Sequence, residues 1–232
     1  FRVGDLDGFE AHLAHALDAA ARSGRLADEV NARNGLGYLH AGRGAMERAR
    51  EELERALRLA QETRIPGLVA LAHVSLSATM LRAERFEAAE RHATEAIAAY
   101  ATLGYLRQWG LEHPVRGEAR LWADDLAGVH EDAAAALERA RWLALDAPLT
   151  RALSLRGKVA FFEQDFGAAR DALEDAAGLG AQPGARRLWA YAAAARSMLG
   201  HLEAARDAFE HAASTTAGSE GRARPEPTDP RG

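Results

Sequence analysis

Asn31 and Asn34 are the only asparagines in 232 residues, and they stand one helical turn apart. Each amide offers an acceptor and two donors. With Arg or Lys nearby, such a pair can hold a peptide backbone, a carboxylate or a sugar hydroxyl. His12-x2-His15 places two imidazoles on one helical face, an arrangement that can bind a metal. No carboxylate or cysteine completes that set, so the two read as surface histidines. Asp124-Asp125 and Asp165 fall in turns just ahead of helices, where a carboxylate caps backbone N–H groups. No phosphate loop, nucleophile elbow or metalloprotease motif occurs. The chain reads as a binding protein and not an enzyme, with no metal and no cofactor implied.

These residues sit on a recurring unit. An apolar residue opens a helix at Leu6, Met46, Phe86, Leu126, Phe166 and Leu202, and the unit's last small residue recurs as Ala16, Ala56, Ala96, Ala136, Ala176 and Ala212. The steps are four of 40 residues and one of 36. Self-similarity at such a period predicts an all-α solenoid of antiparallel helix pairs. Over 1–216 the reading is a truncated first repeat followed by five pairs, and 217–232, rich in Pro, Gly, Ser and charge, is a disordered tail or linker. Helices are expected over 6–22, 66–82, 86–103, 149–163, 166–178, 185–199 and 202–214. Twelve residues before Ala49, Ala89, Val129, Ala169 and Ala205 stand Gly37, Ser77, Gly117, Gly157 and Ala193. Glycine inside a helix costs about 1 kcal/mol relative to Ala. Three in one phase imply close approach of paired helices, with Ala169 expected to meet the turn of Gly157.

Leu103–Trp122 breaks the pattern, because Gly110 and Pro114 fall inside the expected helix. An interior Pro costs about 3 kcal/mol. The helix is therefore expected either to kink or to begin late, with His113-Pro114 at its first turn. Trp109 and Trp122 flank the break as candidates for a pocket or partner contact, or as fillers of a wider gap. His73 and His113 share a phase and read as packing residues.

The net charge of −5 is mild, with Arg and Glu interspersed as on a solvated helical surface. Nothing resembles a nucleic-acid footprint, and no apolar run spans a membrane. Absence of cysteine excludes disulfides and thiol chemistry and fits a cytoplasmic setting. Lys158 is the only lysine, and Ile65 and Ile97 are the only isoleucines, a bias typical of high-GC bacteria such as actinobacteria. The chain opens on Phe1, within what reads as the end of one helix and its turn. The expectation is a fragment whose array continues upstream.

Leu36-Gly37, Ala205-x3-Phe209, Ala49-x3-Leu53, Ala169-x3-Leu173 and Trp189 resemble the tetratricopeptide repeat pattern. The period of 40 instead of 34 and the displaced Pro depart from it. Longer helices of this kind are similar to the sensor arrays of large ATP-binding bacterial regulators of the maltose-activator and LuxR type. The resemblance implies a protein or peptide partner, or a small-molecule effector, held in a concave groove lined by first helices. Its groove phases select Asn31, Asn34, Tyr38, Arg82, Glu118, Trp122, Arg151, Lys158, Phe162 and Arg187. It further implies a sensing role beside switch and output domains; the alternative is a passive scaffold.

Overall fold

The structure is a computed structural model that describes residues 6–179, 185–208 and 210. Ten helices follow in order: α1 (Leu6–Ser23), α2 (Leu26–Gly42), α3 (Met46–Thr63), α4 (Pro66–Arg82), α5 (Phe86–Leu103), α6 (Leu106–Trp122), α7 (Leu126–Leu143), α8 (Asp146–Phe162), α9 (Phe166–Gly178) and α10 (Ala185–Met198). A further helical stretch covers 202–208. No strand occurs among the described residues, and the fold is the expected α-solenoid of helix pairs. The tail over 217–232 and Phe209 lie outside the described residues. The chain divides into two compact units, Phe1–Pro148 and Leu149–Gly232.

Within the first unit, α2 pairs with α3, α4 with α5 and α6 with α7. The first helices also touch one another, α2 on α4 and α4 on α6. Among the described residues α3, α5 and α7 have no such mutual packing. The first helices therefore lie on the inner side of the curve. One cluster, Leu53, Leu76, Met80, Ala89 and Ala119, runs through four successive helices and ties the repeats into a continuous core.

The turns explain why the period is so regular. Gly24, Arg64, Gly104 and Ala144 all have positive φ, between 51° and 70°, and each closes a second helix or its turn. Gly44, Glu84, Asp124, Gln164 and Gly200 have positive φ inside the pairs. A left-handed residue reverses the chain sharply while its N–H returns to a helix carbonyl. Glycine fills such a site without strain; the other residues pay about 1–2 kcal/mol each. The turns of α7 and α9 recover some of this, because Asp125 and Asp165 accept from the N–H of Gly128 and Ala168 at 3.0 Å. Both aspartates are thus cap residues, as their positions suggest.

Two expectations about boundaries are corrected. Helix α8 begins at Asp146, one turn earlier than Leu149, because Pro148 sits in its first turn, where a missing N–H costs nothing. Helix α6 does not begin late: it runs from Leu106 with Pro114 in its interior. Pro114 has no N–H to donate to the Gly110 carbonyl one turn earlier. A Cβ on Gly110 would stand 2.5 Å from Arg139 Cγ, so the glycine lets the Arg139 stem of α7 lie across α6.

The small-residue phase serves as predicted, with a different leading contact. A Cβ on Gly157 would meet Leu173 Cγ at 2.6 Å and the Ala169 carbonyl at 3.3 Å. One on Gly37 would meet Leu53 at 2.5 Å. The leucine side chain fills the notch, and Ala169 contributes backbone. Gly157→Leu is expected to cost about 1–3 kcal/mol by overpacking. Leu173→Ala in the same chain should restore part of the lost melting temperature, whereas an unchanged midpoint for the single variant would refute the notch.

Candidate functional site

Within each pair of the first unit, the same two positions, 19 residues apart, bring polar side chains together. Arg33 donates from Nη1 to Glu52 at 2.8 Å and from Nη2 to Glu29 at 2.7 Å. One repeat later, Nδ1 of His73 and Nδ1 of His92 lie 3.0 Å apart, so one ring donates to the other. In the third, His113 Nδ1 and Asp132 Oδ1 are 2.7 Å apart. In α8 and α9 the same phase holds Leu153 and Ala172, both buried. His73 and His113 are therefore hydrogen-bonding residues as well as packing ones.

The third pair is the most elaborate. Asp132 is fully buried. Arg116 donates from Nη2 to its Oδ1 at 2.7 Å and from Nε to both oxygens at 3.1 Å, and Arg120 Nη1 reaches Oδ2 at 3.2 Å. Arg120 also donates from Nε to Glu90 of the preceding repeat at 2.8 Å. Burial works against the Asp132 charge, but the bonds from His113 and Arg116 prevail and hold the carboxyl below its ordinary value. Trp109 meets the His113 ring edge-on, with 4.4 Å between centroids, and the Arg139 guanidinium lies 5.2 Å from both Trp109 and Trp142. A second buried carboxylate, Glu112, stands where α2, α4 and α8 carry Ala32, Ala72 and Ala152, and Ser77 of α4 donates to it at 3.1 Å.

The candidate residues fall into different settings. Asn34 is only 4% exposed, and neither atom of its amide has a partner. Asn31 is exposed and borders a groove beside α1, so the two amides do not present together. Tyr38 is 48% exposed, and Glu118 holds its phase two repeats on, half-buried. Arg82 donates to the Ala41 carbonyl of the preceding repeat at 2.7 Å, and Trp122 in the same phase stacks on Phe86 at 5.7 Å. That phase reaches back along the array. Trp109 belongs to the Arg139 stack. In the second unit Arg151 and Arg187 are exposed, Lys158 is half-buried and Phe162 is exposed.

His12 and His15 are both exposed, and the described residues contain no cluster of three metal-ligating side chains. No described helix is long and apolar enough to cross a membrane. Arg33, Glu52, His92 and Asp132, the other members of the polar pairs of α2–α7, were not singled out in the sequence. The available signal was the 19-residue offset repeated in the 40-residue register.

No family model matches the chain, and no curated protein matches it. Solved structures do. BtubC (BKLC) from P. vanneervenii has a TM-score of 0.75 at 17% identity, covering 97% of this chain and 96% of that one. A putative kinesin light chain from Podospora anserina with nearly identical TPR-like repeats gives 0.65 at 13%, covering 82% and 96%. The APC/C hetero-tetramer Cut9–Hcn1 gives 0.67 at 15%, covering 93% of this chain and 38% of that one. At these identities the likeness shows the fold, a tetratricopeptide-like helical repeat array.

Two outcomes follow from the buried pairs. Asp132→Asn removes the buried countercharge of Arg116 and one of the carboxylates that Arg120 shares with Glu90, and should cost about 3–5 kcal/mol in denaturant unfolding. Burial, together with the neighbouring His73 and Arg91, lowers His92 from 6.5 to about 4, and burial lowers His73 in the same direction. A depressed imidazole means the unfolded chain binds the proton more tightly. The stability from this pair is complete above pH 6.5 and fades as the pH falls towards 4, by about 3 kcal/mol for His92. His73→Leu/His92→Leu should flatten the unfolding midpoint across that window; an unaltered slope would refute the assignment.

Proposed function

We propose that this chain is a protein-binding array that takes an extended or helical segment of a partner on the inner face of its first unit. The observation that carries this reading is the packing of α2 on α4 and α4 on α6, which builds one face from first helices alone. The positions projecting there repeat every 40 residues, and Tyr38 and Glu118 share one of them. Underneath, the polar pairs of α2–α7 (Arg33–Glu52, His73–His92 and His113–Asp132) fix the rotation of each first helix, so the face is presented pre-ordered. Pre-order lowers the entropy lost on binding.

The remaining candidates, Arg151, Lys158, Phe162 and Arg187, offer the corresponding phases in the second unit and mix cation with aromatic. That chemistry suits an acidic or aromatic-bearing peptide. The similarity of the sequence to bacterial regulator arrays favours a sensing module joined to further domains, over a passive scaffold. In that setting a partner or small effector would act by preferring one arrangement of the array. The distinction lies in whether binding changes conformation.

Selection from a displayed peptide library, followed by titration of the chosen peptides, tests the site. Tyr38→Ala/Glu118→Ala should weaken the selected binders at least tenfold while leaving the melting temperature within a degree or two. If every selected peptide binds the double variant as tightly as the parent chain, the inner face is not the site.

A further inference from the structure

The third pair differs from the two before it at three positions of the register. Where the first pair carries Glu29, Leu59 and Glu62, and the second Val69, Ala99 and Thr102, α6 and α7 carry Trp109, Arg139 and Trp142. These three converge. The guanidinium carbon of Arg139 lies 5.2 Å from the centroid of each indole, so both aromatic faces engage the one cation. Trp109 is half-buried and held edge-on against His113. Trp142 is 67% exposed, and positions 62 and 102 are exposed in the same way.

Stacking on ring faces uses the flat sides of a guanidinium and leaves its N–H edge for acceptors in the plane. No acceptor reaches that edge among the described residues. Nε of Arg139 is buried without a partner, and its terminal nitrogens make neither a hydrogen bond nor an ion pair. The half-buried Arg33, Arg116 and Arg120 of the same unit each hold a carboxylate. Arg139 is half-buried too and holds none. Its direction is nevertheless set, because the stem crosses Gly110, where a Cβ would stand 2.5 Å from Arg139 Cγ. Close by in the chain, Arg107 and Arg141 are exposed and likewise without a carboxylate partner among the described residues, and Glu138 pairs with none of the three. One turn away, the antiparallel pairing brings the exposed Leu106 of α6 level with Trp142 of α7.

We propose that this end of the α6–α7 pair is a docking surface for a segment of a partner polypeptide that offers Asp or Glu beside a bulky apolar residue. The carboxylate meets the N–H edge of Arg139 in the plane of the guanidinium, and the apolar neighbour covers Trp142. Charge complementarity identifies the occupant: a pre-aimed guanidinium with no anion of its own stands near two further arginines, in a chain whose net charge is −5. Trp and Arg packed together are also the side chains that most often dominate the energy of an interface. The surface shares no residue with the inner face probed at Tyr38 and Glu118, so either reading can fail alone.

Peptides selected by random display on the whole parent chain test it. They should include sequences in which Asp or Glu adjoins an aromatic residue or Leu. Those peptides should bind Trp142→Ala and Arg139→Gln about tenfold or more weakly, while keeping their affinity for Tyr38→Ala/Glu118→Ala. Changing the peptide's acid to its amide should give the same loss against the parent chain, a measurement that needs no altered protein. The amide peptide should then bind the parent and Arg139→Gln alike, as expected when the two groups act only through each other. Arg139→Lys, which keeps the charge without the planar fork, should recover only part of the affinity. If no selected peptide depends on Arg139, or if the dependent ones lose nothing with their carboxylate, the proposal is overturned. Dependence on Trp142 alone would make the surface a purely apolar contact and overturn it as well.

Discussion

The distance at which the two helices of a pair approach is the constraint on which the array depends. A leucine side chain at position 53 or 173 occupies space that any side chain at 37 or 157 would need. The glycine weakens its own helix, and the contact it permits recovers more than that loss through buried apolar area. Where Ser77 replaces the glycine, the residue in the leucine's place is the smaller Ala93. The core cluster running from Leu53 to Ala119 exists only because this spacing holds in successive pairs.

Close approach also explains the charges. Polar side chains at 33/52 and 73/92 are half-buried and those at 113/132 fully buried between the helices, where pairing with each other satisfies groups that little or no water can reach. An apolar pair of similar volume would serve stability as well, and the second unit uses one, Leu153 with Ala172. What the polar pairs add is angular definition. A bidentate guanidinium on Asp132, or an imidazole on an imidazole, tolerates little rotation of one helix against another. The consequence is a set of first helices whose outward side chains keep fixed directions.

Much of this is legible in the sequence. The 40-residue register placed the helices within a turn, and the phase of small residues located the contact between partners. What the sequence concealed were features that depend on two segments at once. Pro114 reads as a break when considered alone; the helix nevertheless runs through it, and the Arg139 stem of α7 lies close against Gly110 one turn earlier. Asn31 and Asn34 read as a pair at helical spacing, yet one looks to solvent and the other into the interior: they stand only about 60° apart around the axis, and the edge of the core falls between them, which spacing alone does not reveal. The partners of His73 and His113 lie on other helices, and no local pattern announces them.

The left-handed turn residues at 24, 64, 104 and 144 make each 40-residue block begin and end on the same backbone conformation. Both members of every polar pair, 33 with 52, 73 with 92 and 113 with 132, lie inside one such block. A genetic duplication or loss of one block would therefore rejoin compatible ends and carry each buried pair intact. Only the ties between blocks, such as Arg120 to Glu90, would have to be remade. The array can thus change length by inheritance in whole units, and the same joints offer places to cut and splice it deliberately.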